Sequence, residues 1–171
     1  MNTSQIDLVH STFQQVRPIA DQAAALFYGR LFELDPSVRP LFKGDLAKQG
    51  QMLMSMIGSA VAGLRDLPRL EPVLRQLGGR HVAYGVQDRH YATVGEALLW
   101  TLEQGLGPAF TPEVRQAWTS AYGLLAGAMQ AGAMEAAAIQ PAAGEPVSRA
   151  VRFIAPMSAP APSSSIPQAP W

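Results

Sequence analysis

Apolar residues between positions 4 and 138 recur every three to four residues, the spacing that gathers them on one face of a helix. No stretch alternates as a half-buried strand requires. The pattern predicts a first helix from Ser4, as its N-cap, to Val16, with Pro18 closing or restarting the chain. A second spans about Ile19 to Leu34 and sets Ala24, Phe27, Tyr28, Leu31 and Phe32 on one face. Asp35-Pro36 marks a turn into a short helix ending at Leu41-Phe42. A third long helix opens near Leu46 and carries Gln49, Leu53, Met56, Ile57, Ala60 and Leu64 on one side. Helices near Pro68–Tyr84, Gln87–Leu106 and Pro112–Ala138 complete the body, with Thr111 as a cap and Pro112 in the first turn. The expected class is all-α, with one domain over residues 1–138.

Beyond residue 138 the periodicity stops. Residues 139–171 hold seven of the fourteen prolines, and Ala, Ser and Gly fill most of the rest. Such a segment cannot hold a helix and has little apolar surface to offset the entropy of ordering. It is expected to be a disordered, Pro/Ala-rich tail or a spacer, with a short element only at Val147–Ile154. A docking segment for a partner is the alternative.

Composition removes several classes of function. At 171 residues and 48% hydrophobic, the chain can bury a core. Thirteen basic and thirteen acidic side chains cancel, which argues against nucleic acid as the partner. The absence of cysteine excludes disulfides, thiolate-bound zinc and iron–sulfur clusters. Met1–Asp7 has no charged lead before an apolar run, and no apolar stretch approaches the roughly 20 residues of a membrane span. The expectation is a cytoplasmic protein without a membrane partner.

The candidate chemistry lies in polar residues on apolar faces. His81 stands on the stripe of Leu70, Leu74, Leu77 and Tyr84. It is either a core histidine bonded to a backbone carbonyl or a metal ligand. Gly78 and Gly79 precede it, and each costs about 1 kcal/mol relative to alanine inside a helix. Close approach of a flat ligand is one reason to keep them, and a simple kink is the other. Gln49 shares a face with Leu53 and Met56, and Tyr28 shares one with Ala24 and Leu31. Each needs a polar partner if buried, whether from the core or from a small ligand on a metal. Phe42 serves equally well as a core plug.

The segments Leu26–Phe32, Pro36–Phe42, Gly79–Val86, His90–Leu99 and Ala117–Gly123 resemble, in that order, the single-domain bacterial globins and the globin part of flavohaemoglobins. The 32-residue gap from Gln49 to His81 fits the same pattern, and the resemblance covers about residues 4–138. It implies the globin fold, a three-over-three helical sandwich around b-type haem. His81 would then be the proximal iron ligand, Phe42 would stack on the porphyrin, and Leu53 and Val86 would line its two faces. Tyr28 and Gln49 would be the distal pair that donates hydrogen bonds to bound O2, and Arg80 would reach a propionate. Two such donors would slow O2 release by roughly tenfold to several hundredfold.

Flavohaemoglobins also place a tyrosine and a glutamate behind the proximal histidine. Tyr91 matches the tyrosine, but the glutamate position falls on Ala133, and Glu135 lies about 200° further round the helix. The resemblance implies a haem protein that reversibly binds O2, and also NO and CO, for storage or scavenging. The enzymatic alternative is a nitric oxide dioxygenase served by a separate reductase, and the third is a haem-based gas sensor. The chain is expected to be a monomer or weak homodimer.

Overall fold

The computed structural model describes residues 1–139, and every regular element among them is helical. Six α-helices follow in order: α1 (Thr3–Val16), α2 (Ala20–Leu34), α3 (Leu46–Gly63), α4 (Leu67–Ala83), α5 (Asp88–Leu106) and α6 (Pro112–Ile139). Short 3₁₀ turns join them at Arg17–Ile19, Pro36–Leu41, Leu64–Asp66 and Gly107–Ala109. The expected proline-rich tail lies outside the described residues, apart from Ile139, which ends α6. No helix among the described residues is long and apolar enough to cross a membrane.

Local chemistry sets the boundaries. The cap of α1 is Asn2 rather than the expected Ser4. Asn2 takes the Gln5 backbone N–H while the Gln5 side chain takes that of Asn2, so two otherwise unpaired donors are satisfied together. Asp35 caps the turn that carries the chain to Phe42, and Asp45 caps α3 by accepting from Ala47 N–H at 2.9 Å. Thr111 accepts from Val114 N–H at the start of α6. Gly85, at φ 81°, turns the chain out of α4 in a conformation that side chains disfavour.

Helices α1 and α4 pack on α6, and α2 packs on both α3 and α5. One apolar cluster gathers Val9, Phe13, Leu64, Leu102 and Trp118, and Trp118 Nε1 donates to Thr12 Oγ1 at 2.9 Å to tie α6 to α1. A second cluster holds Phe27, Tyr28, Leu31, Phe42, Leu53 and Val94, and a third holds Leu74, Leu77, Tyr91 and Met129.

The kink expected as one reason for Gly78 and Gly79 does not occur. Helix α4 continues through both glycines, and what approaches Gly78 is the backbone of α6. A Cβ at Gly78 would stand 1.8 Å from the Met129 carbonyl oxygen.

Candidate functional site

His81 lies near the C-terminal end of α4 and is 1% exposed. Its Nδ1 is 2.8 Å from the Leu77 carbonyl oxygen, one turn earlier. Burial is the main cause that pushes its pKa down to about 4, with the cation of Arg80 adding to the effect and the Leu77 carbonyl opposing it. The ring is therefore neutral near pH 7. A carbonyl can only accept, so Nδ1 carries the proton and Nε2 is the unprotonated nitrogen. Neutral imidazole with that tautomer is the form that binds a metal.

Helix α2 presents Tyr28, which is 3% exposed. Its hydroxyl has no hydrogen-bond partner among the described residues, and burial raises its pKa. Phe42 meets Tyr28 edge-on with ring centroids 5.3 Å apart and meets Phe32 at 5.2 Å. Leu53 is buried in the same cluster, and Val86 packs against it half-buried. A missing side chain at Gly50 lets α3 come this close, because a Cβ there would fall 2.7 Å from Ala24 Cβ.

Gln49 is 1% exposed on α3. Its Nε2 donates to the Lys43 carbonyl at 3.1 Å, while Oε1 is buried with no partner among the described residues. The Lys43 carbonyl thereby fixes which end of the amide points where. Gln49 offers the buried space an acceptor and one remaining N–H.

Tyr91 packs with Leu77 and Met129, and Val86 adjoins them. The Tyr91 hydroxyl is buried without a partner among the described residues, and burial pushes its pKa up to about 12. Its backbone carbonyl accepts from the Tyr122 hydroxyl, a contact with no local trace in the sequence. Ala133 is buried, whereas Glu135 is exposed and ion-paired with Arg75. Arg80 is half-buried beside His81.

The structure thus brings Tyr28, Phe42, Leu53 and Val86 into one cluster and sets Tyr91 beside Val86 in the next. An apolar cavity of about 80 Å³ touches Leu53, Leu77 and Tyr91 but not His81, Tyr28, Gln49 or Phe42. Tyr28 borders an outer cleft between α2 and α3 instead, together with Gly29, Arg39 and Gly50. Among the described residues, no group of three or more His, Cys, Asp or Glu side chains could hold a metal ion. A bare ion cage is therefore not offered. One buried imidazole, apolar walls and a few buried polar atoms are the residue types by which a protein holds a planar organic group that carries its own metal.

Comparison with known proteins points the same way. A family model described as Globin matches residues 25–129. Neuroglobin of Danio rerio is 39% identical over 118 residues, covering 61% of this chain and 74% of that protein. The flavohemoprotein of Bacillus subtilis (strain 168) is 30% identical over 131 residues, covering 75% of this chain and 33% of that protein. An engineered carbene transferase, made from a proposed nitric oxide dioxygenase of Rhodothermus marinus, superposes with a TM-score of 0.72 at 26% identity, covering 81% of this chain and 97% of that one.

Proposed function

The chain belongs to the globin family and has its fold, and on that premise we propose that it holds b-type haem on His81 and binds O2 reversibly, with NO and CO as further ligands. The observation that carries this reading is the state of His81, buried, neutral and with its Nδ1–H held by the Leu77 carbonyl. Haem, when bound, supplies a ferrous iron that takes a diatomic gas.

The chain's own residues do the rest. The Leu77 carbonyl fixes the tautomer and the direction of the imidazole. Phe42, Leu53 and Val86 form an apolar wall that excludes water, and Arg80 supplies a cation for the propionates. The Tyr28 hydroxyl, with no other acceptor among the described residues, is the main hydrogen-bond donor to the gas, and the spare N–H of Gln49 is the second. Tyr91 stands behind the imidazole with no ionised neighbour at Ala133, so its hydroxyl adds little negative charge toward His81. Residues 1–138 form the haem-binding domain in this reading, and the protein works in the cytoplasm.

Titrating haem into the purified chain, reducing it and admitting O2 tests the proposal. A saturable Soret band and an oxygenated spectrum that persists for minutes are expected. No haem uptake overturns it. Similarity to the Rhodothermus marinus protein favours nitric oxide dioxygenation as a second reading. That reading predicts stoichiometric nitrate from the oxygenated protein and NO, with repeated turnover once a reductase is supplied.

A further inference from the structure

Gly78 and Gly132 stand where α4 crosses α6, and each faces the other helix's backbone. A Cβ at Gly78 would lie 1.8 Å from the Met129 carbonyl oxygen and 2.7 Å from its Cα. A Cβ at Gly132 would lie 1.9 Å from the Arg75 carbonyl oxygen and 2.5 Å from its Cα. The two contacts are reciprocal, since Arg75 precedes Gly78 by three residues and Met129 precedes Gly132 by three. They form one antiparallel joint, and backbone atoms on both sides cannot swing away as a side chain would. Any side chain at either glycine must part the helices by more than an ångström. On the rim Arg75 pairs with Glu135 of α6, and on the inner side Leu77 and Met129 share an apolar cluster.

We propose that this joint aims His81, with Gly78 and Gly132 as positioning residues that act through the Leu77 carbonyl. The inference rests on the haem-binding reading above. The carbonyl that accepts from His81 Nδ1 belongs to the peptide unit joining Leu77 to Gly78. That unit is planar, so the Gly78 Cα and the Leu77 oxygen move together. Pressing the Gly78 Cα against Met129 therefore fixes the oxygen, and the oxygen fixes the turn of the imidazole ring about its own axis. Gly132 presses on the Arg75 carbonyl less than one turn before Leu77 and so fixes the depth of the same segment. Gly127, also on α6, has nothing within 4 Å of its Cβ position and takes no part.

The test compares Gly78→Ala, Gly132→Ala and Gly127→Ala in the haem-loaded full chain. It reads the ferrous iron–histidine stretching band by resonance Raman, and the Tm of the haem-free chain by circular dichroism. The band is expected to shift or split in Gly78→Ala and Gly132→Ala at unchanged haem content, and to stay at the parent position in Gly127→Ala. Tm should fall in the first two, and in the double variant by less than the two losses added, because one joint is displaced only once. Variants that lose Tm while the band stays in place would make the glycines structural only and overturn the proposal, and so would additive losses. Should Gly78→Ala fail to fold, Gly132→Ala carries the same test. A parent that takes up no haem and shows no band fails at the earlier reading, an outcome separate from an unmoved band.

Discussion

Inside this chain a buried polar atom is defined by what is already bonded to it. His81, Tyr28 and Gln49 are each no more than 3% exposed, and each lies on an apolar helix face, which is why the sequence alone singles them out. What the sequence does not carry is their first partner, because a backbone carbonyl leaves no mark on residue type. The Leu77 carbonyl settles the tautomer of His81, and the Lys43 carbonyl takes one amide hydrogen of Gln49. The Tyr28 hydroxyl has no such claim on it among the described residues. Tyr28→Phe should therefore speed O2 release by about tenfold, and Gln49→Leu by less. Stopped-flow displacement of O2 by CO measures both rates. A larger effect of Gln49→Leu would reverse the order of the two donors.

At the scale of the helices, hydrophobic period and caps place every α-element to within a residue or two. The exception in detail is Ser4, displaced as cap by Asn2 because only Asn2 stands three residues before a glutamine that can answer it. Gly78 is visible as an anomaly inside a helix, but its cause is 51 residues away at the Met129 carbonyl, and its counterpart across the joint is Gly132. That glycine lies among Ala131, Ala133 and Ala136, where one more small residue raises no contrast. Long-range polar ties are equally silent. The Trp118 indole donates to Thr12, which itself donates to the Leu8 carbonyl at 2.6 Å. Thr12→Val keeps the shape and strands the buried indole N–H, at an expected cost of about 1–3 kcal/mol. Urea unfolding of the haem-free chain checks this, and an unchanged midpoint would show that the tie contributes nothing.

For the molecule as a whole, the family is legible because several short segments occur in one order over residues 4–138, although each is weak alone. The match of the globin model to residues 25–129 lies within that span. Candidate site residues from α2, α3 and the segment ending at Phe42 do meet in one cluster, while the apolar cavity nearby bypasses His81. Deleting residues 141–171 should leave haem affinity unchanged in a titration followed at the Soret band, and a weakened complex would give those residues a share in binding. The most direct test of the account is the same titration on the parent and on His81→Ala. The prediction is saturable uptake by the parent and loss of that band in the variant. A variant with the parent's ferrous spectrum would contradict the assignment of His81 as the residue that holds the iron.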